Sequence, residues 1–309
     1  MRPSPAMFRL ATVLVFVALG SAPRAAHAQA WVGDKGSLDL SLDYNLGVSS
    51  KVVADKSAAS FSQAGTLTNQ VTLGAEYVPL ARLAVDVALP FVALKYTGNK
   101  MAYPHPGGGS YDDGSFHSTL TDLRVGARYQ VLEEPIALAP HLAFSIPVAD
   151  YETVGNTVAG RHLKALHLGL GIGKIFAGTA YAHLLYELSL VEKYDRTPET
   201  ESFGQNHSDL AFTLGYKLLQ QRLDVHLDAN VRVAHGGVNF SELNFSSTTD
   251  PVALYHDAIL KEDIFLVGAG ASYQLTNSLA ASLSARFFAY GRNTQNASVI
   301  ALGFVFSPL

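Results

Sequence analysis

The chain contains no cysteine. That excludes disulfide staples, zinc–thiolate sites, thiol nucleophiles and a lipid-modified cysteine anchor. Charge is scarce as well. Only 16% of the 309 residues are Asp, Glu, Lys or Arg, against roughly 25% in ordinary soluble domains. The acids outnumber the bases, 26 to 22, which argues against a nucleic-acid partner, because that affinity comes from cationic side chains meeting phosphates. Hydrophobic residues make up 48% of the chain, yet beyond the N-terminal region no apolar run approaches the roughly 18 residues a spanning helix needs. So much apolar surface must be buried in a core or turned to lipid by some other element.

The N-terminal region is a separate matter. Arg2 and Arg9 give it a basic start, LATVLVFVAL (10–19) is too short to cross a bilayer, and Gly20 and Pro23 lead to Ala26-His27-Ala28. That order reads as a secretory signal peptide over residues 1–28, with the mature protein running from 29 to 309. Without Arg2, Arg9 and Arg24 the 22 basic residues fall to 19, against 26 acidic ones.

What the mature region has in abundance is alternation. In LDVHLDANVRV (223–233) the odd positions are all aliphatic, while the even ones carry two Asp, a His, an Asn and an Arg. The same period of two recurs over 37–48, 67–77, 83–96, 121–131, 138–148, 163–176, 179–191, 208–218, 263–275, 279–290 and 297–306, twelve segments in all. Each has the length of a tilted strand crossing a bilayer. Connections near 79–82, 132–136, 177–178, 219–222 and 276–278 are short. Those at 49–65, 97–118, 149–162, 193–206 and 235–258 are long, and 292–296 is brief. A sandwich has no reason to send every second loop to one end, whereas an up-and-down barrel does. The expected fold is therefore all-β: a twelve-stranded antiparallel transmembrane β-barrel with short periplasmic turns and longer outer loops, in the bacterial outer membrane. Tyr77, Tyr129, Phe176, Tyr216 and Tyr273 fall at the short-turn ends, where an interfacial girdle lies.

The phrases DVALPFVALKY, TDLRVGARYQV and HLAFSIPVADY, with Pro90 inside the third strand, Asp122 to Tyr129 in the fourth and Pro147 to Tyr151 at a strand exit, resemble the MetA-like outer-membrane transporter group of proteobacteria associated with phenol meta-pathway degradation. The resemblance implies a channel-like protein for small, often aromatic molecules. It brings no catalytic residue with it.

If the aliphatic parity faces lipid, the other parity lines the lumen. That set includes Asp39, Asp43, Glu76, Asp86, Arg124, Arg128, His141, His167, His183, Glu187, Asp224, His226, Asp228, Arg232, Arg286 and Tyr290. Isolated charges in a dry interior cost several kcal/mol each, so this many on one face implies pairing or water. Asp224 is expected beside Lys217 across the 219–222 turn, and Asp228 is expected to be wet and unneutralised. Inward histidines read as polar lining in preference to metal ligands. GLGIGK (169–174) lacks the following helix that a phosphate loop requires and reads as small residues facing the lumen. A barrel enzyme acting on lipid needs a Ser–His pair on the outward face, and outward sites such as Ser208 and Ser298 have no outward histidine. Asp112-Asp113, Asp250 and His256-Asp257 read as solvated loop positions, with cation binding the alternative.

The function expected from this is a passive channel for small, aromatic or hydrophobic molecules, needing no cofactor and no metal. Outer-membrane lipid, lipopolysaccharide, the barrel-assembly machinery and the solute itself are its partners. A barrel plugged by its own side chains, serving structure or adhesion, is the second reading. N-terminal sequencing of membrane-embedded protein is expected to begin at Gln29; a retained Met1 would refute export by cleavage.

Overall fold

The computed structural model describes residues 30–55, 65–98, 103, 105, 108–195, 202–243 and 251–308; the expected signal peptide and Asp250 lie outside them. Twelve staves form one closed antiparallel barrel. They are β1 (Leu38–Val48), β2 (Thr66–Leu80), β3 (Leu83–Tyr96), β4 (His117–Leu120 continued by Asp122–Tyr129), β5 (Ala137–Pro147) and β6 (Ala165–Phe176). The circuit continues through β7 (Ala180–Val191), β8 (His207–Leu218), β9 (Leu223–Ala234), β10 (Asp263–Gln274), β11 (Leu279–Arg292) and β12 (Ser298–Phe306). Each strand pairs with its sequence neighbours, and β1 closes the circle on β12 from Leu40 opposite Phe306 to Val48 opposite Ser298.

The alternation decides which side chains face out. On β1, Leu40, Leu42 and Tyr44 are exposed; on β8, Leu210, Phe212, Leu214 and Tyr216; on β9, Val225 and Leu227. Leu227 is 60% exposed, while its chain neighbours His226 and Asp228 are 5% and 8% exposed. In a soluble protein such a continuous outward aliphatic surface would aggregate; a band of lipid contact is its physical use. The five aromatics expected at the short-turn ends are all exposed on that surface.

Two interruptions of the ladder matter. Pro90 in β3 has no N–H to give, and β4 breaks at Thr121, whose own N–H bonds the Pro90 carbonyl at 3.0 Å. The fourth strand is therefore longer than the expected 121–131 and jointed. Between β10 and β11 the register slips at Phe265/Leu266. This bulge exchanges the two faces beyond Phe288. Tyr290 consequently points outward and is 64% exposed, which corrects its expected place in the lumen.

The two ends differ. Short turns close one end, including Phe176–Thr179, where Ala177 and Gly178 both take positive φ (48° and 75°). At the other end the long loops pack on one another. Leu163, Tyr194, Ala258 and Ile259 form one buried cluster, Tyr103, Tyr111 and Val154 a second, and Val52, Ala54, Tyr96, Phe240 and Leu260 a third. The segment from Pro251 to Ile259, two short helical turns, contributes to this apolar cap.

Replacing Leu227 by Arg is expected to destabilise the barrel by roughly 2–4 kcal/mol, whereas Arg at the exposed turn residue Leu219 should cost about 0–1 kcal/mol. Unfolding titrations in lipid vesicles measure both; equal costs would mean that the outward band does not sit in hydrocarbon.

Candidate solute passage

Antiparallel pairing puts inward residues of neighbouring strands face to face, and the sequence fills these positions in a consistent way. His141 lies opposite Gly169, Tyr181 opposite Gly215, His226 opposite Gly270 and Asp86 opposite Gly126. A Cβ added to any of these glycines would overlap the facing side chain. Each glycine is thus a slot in which a neighbour's ring or carboxylate lies down along the wall. Gly173 is a slot of another kind, since a Cβ there would overlap the indole of Trp31.

The charges are paired across these walls. Glu187 on β7 is the hub of one group. Arg124 on β4 donates to it twice, at 2.6 and 3.1 Å, reaching past two intervening strands. His141 Nε2 lies 2.7 Å from the same carboxylate and His167 Nδ1 3.0 Å from it. Arg128 donates to Glu76 at 2.7 Å, and Arg232 to Asp209 at 2.8 Å. Asp39 accepts from the Ser307 hydroxyl, tying the first strand to the chain's end. Such two-fold, charge-assisted bonds are the strong ones, and together they fix how far side chains extend into the lumen.

Asp228 is not the lone wet carboxylate the sequence suggests. Thr213 Oγ1 donates to it at 3.0 Å, and Arg286 Nε approaches to 3.9 Å. Asp224 stands opposite Lys217 in register, as expected, and its carboxylate also accepts from the Tyr181 hydroxyl at 3.0 Å with His226 Nδ1 at 3.1 Å.

Inside this frame lie two cavities. The larger, of about 840 Å³, is lined by Asp43, Tyr181, His183, Asp224, Asp228 and Arg286, among others, and reaches the short-turn residues Gly178, Thr179 and Gln221. The smaller, about 330 Å³, is lined by Asp86, Arg124, Arg128, His141 and Glu187. Leu185, Ala211 and Asn230 border both, so the two are neighbours along the barrel. Among the described residues no group of three or more metal-ligating side chains converges.

Two features narrow the passage. At the short-turn end the N-terminal segment enters the barrel. Val32 N–H donates to the Gln130 side chain at 3.0 Å, Arg128 to the Trp31 carbonyl at 3.4 Å, and the Trp31 and His183 rings lie 6.4 Å apart. At the other end the loop cap hides polar groups that read as solvated in the sequence. Asp112 is fully buried and accepts from the backbone and side chain of Asn156 at 3.0 and 2.6 Å. His256 is buried, stacked on Tyr103 and 3.1 Å from Asn156 Oδ1. Burial pushes the Asp112 carboxyl above the usual range, against the Asn156 hydrogen bonds that lower it. Burial likewise raises Asp257 and lowers Arg161. Asp113, by contrast, is exposed and pairs only with His117 and its own loop.

Two alignments escape sequence reading. Ser208, expected to lack an outward histidine, has its Oγ 2.7 Å from Nε2 of the exposed His235. Ser145 Oγ lies 2.9 Å from His167 Nε2, whose Nδ1 faces Glu187 at 3.0 Å, the order of a hydrolytic relay. It faces inward and not toward lipid. Glu187 is already engaged by Arg124 and His141, and neither Ser145 nor His167 borders the two cavities. The arrangement is a structural bond chain tying β5, β6 and β7. The register that creates it is invisible in a linear pattern.

The barrel is similar to the crystal structure of an outer-membrane channel from Pseudomonas putida F1, at 12% identity and a TM-score of 0.71, covering 92% of this chain and 100% of that one. The NanC porin (7% identity, TM-score 0.48, covering 86% and 98%) and a TodX monoaromatic hydrocarbon channel variant (12%, 0.46, 91% and 92%) are more distant. No protein-family model and no curated protein matches the chain. At these identities the likeness is one of fold.

Replacing Gly169 by Ala should push His141 off Glu187 and destabilise the barrel by about 1–3 kcal/mol, the usual cost of overpacking. Removing the ring as well, in Gly169→Ala/His141→Ala, should recover part of that loss. Urea midpoints of the single and double variants measure it; no recovery would mean that the ring does not occupy the slot.

Proposed function

We propose that this chain is a passive channel of the bacterial outer membrane that lets small solutes cross through a narrow, charged lumen. The observation that carries the reading is the pair of polar-walled cavities, about 840 and 330 Å³, inside a barrel whose outer face is aliphatic. Water and a small solute fit the first; lipid fits the second. The fold shared with an outer-membrane channel supports the same reading. On it, residues 1–28 are the export signal and 29–309 the barrel, the short turns face the periplasm, and the loop cap faces outward toward lipopolysaccharide. Insertion falls to the barrel-assembly machinery. No step needs a cofactor, since diffusion down a gradient is the whole mechanism and the wall biases which solutes enter. The apolar patches of Leu185, Ile175 and Ala211 on the larger cavity suit the small aromatic or hydrophobic solutes that the MetA-like resemblance implies.

The second reading, a plugged structural barrel, is favoured by one specific observation: Trp31 and the loop cap stand at the two ends of the lumen. Planar-bilayer recording separates the two. A channel should show discrete unitary currents, and Trp31→Ala should raise the unitary conductance severalfold by clearing the short-turn end. Silence from both the native protein and Trp31→Ala would establish the plugged barrel.

A further inference from the structure

The larger cavity has a chemical bias beyond its size. Its charged lining residues are Asp43, Asp224 and Asp228 against Lys217 and Arg286, one more acid than base. Asp224, Asp228 and His183 are each more than nine-tenths buried. Asp224 Oδ2, Asp228 Oδ2 and His183 Nε2 have no hydrogen-bond partner among the described residues. The two carboxylate oxygens are pure acceptors, and a buried acceptor left unmet is costly. His226 Nε2 and Arg286 Nε stand near Asp228 Oδ2, but at 3.6 and 3.9 Å both are beyond hydrogen-bond reach of it. The wall therefore calls for hydrogen-bond donors carrying positive charge.

The uncharged lining is mixed, with hydroxyls and amides such as Ser41, Thr72 and Asn230 beside an apolar and aromatic part. Trp31 and Tyr181 present π faces, which attract cations, and Ile175, Leu185 and Ala211 supply aliphatic surface. At about 840 Å³ the cavity falls within the range of small-molecule sites. A bare metal ion would leave that apolar wall unused, and an anion would meet the acidic excess.

We propose that this cavity is a binding station for a small organic cation: a primary or secondary ammonium on an apolar, ring-sized body, its N–H groups directed to Asp224 and Asp228 and its body against Trp31 and Leu185. This rests on the channel reading for how the solute arrives, but binding itself is measured separately from conduction.

Trp31 is the sole tryptophan of the chain, so intrinsic indole emission reports on the wall where this cavity meets the opening at the short-turn end, and the Asp variants assign the signal to the cavity. Purified full-length mature protein is titrated with 2-phenylethylammonium, 2-phenylethanol and 3-phenylpropanoate, which share ring and chain but carry positive, zero and negative charge. The expected result is a saturable change in Trp31 emission with the ammonium, at least tenfold tighter than with the alcohol, and none with the carboxylate. Asp224→Asn and Asp228→Asn, checked for folding by circular dichroism, should each weaken the ammonium about tenfold and leave the alcohol unchanged. Equal affinity for ammonium and alcohol, or tighter binding of the carboxylate, overturns the proposal on the native protein alone, whatever the variants do. Unitary currents from a protein whose emission does not respond to the ammonium would leave the channel standing and end the cation site. Saturable binding by a protein that never conducts would do the reverse.

Discussion

Everything in this molecule follows from the closure of one hydrogen-bonded circle. A strand in hydrocarbon has no water to satisfy its backbone, so an open sheet edge is excluded, and the ladder between β1 and β12 removes the last one. Closure then fixes parity. With every stave in register, each side chain faces either lipid or lumen, and a one-residue slip would turn a strand's charges into the membrane. Of the two slips, the one at Tyr77/Leu80 lies beside the short turn to β3, and the one at Phe265/Leu266 lies toward the capped end, where it reverses only the last residues of β11.

Within the circle the wall is organised by steric complementarity as much as by charge. Rings and carboxylates on one strand lie over glycines on the next, which brings the ionised groups close enough to pair along the wall and keeps room open in the middle. Several pairs reach past a strand, as Arg128 does to Glu76, and Arg124 reaches farthest, to Glu187. It passes two intervening strands, and His141 and His167 meet the same carboxylate. Pairing also explains why so many charges can be held without a filled, dry core: most have a partner or face a cavity, which lowers the desolvation cost that isolation would carry.

The lumen is consequently narrow, charged and obstructed at both ends. The loop cap has its own apolar clusters and buried polar contacts between Asp112, Asn156 and His256, so it is a packed layer and not a fringe of solvated loops. The N-terminal insert is lighter: among the described residues Trp31 and Val32 are held by the hydrogen bonds to Arg128 and Gln130, the ring contact with His183 and the fit of Trp31 against Gly173. Of the two constrictions the insert depends on fewer contacts, and an element with few buried contacts opens at the lower free energy.

The fold was legible because its signal is local and repeated. Period-two alternation, strand length and the alternation of short and long connections are all properties of neighbouring residues, and they specify strand count, lipid face and most of the lumen face, from Asp39 and Asp43 through Arg232 and Arg286. What the sequence could not determine depends on register across strands. The joining of Arg124 to Glu187, the approach of Arg286 to Asp228, the glycine slots and the outward turn of Tyr290 all arise between residues far apart in the chain. Asp112 and His256 lie in polar loops that read as solvated; only the packing of several loops on one another buries them. Trp31 was a lone aromatic beyond the signal peptide, with nothing in its neighbours to say that the barrel would leave a slot for it. The sequence by itself determined the barrel, because alternation acts one residue at a time. The tertiary structure alone decided the passage, because its width and charge are set by side chains that meet only once the circle has closed.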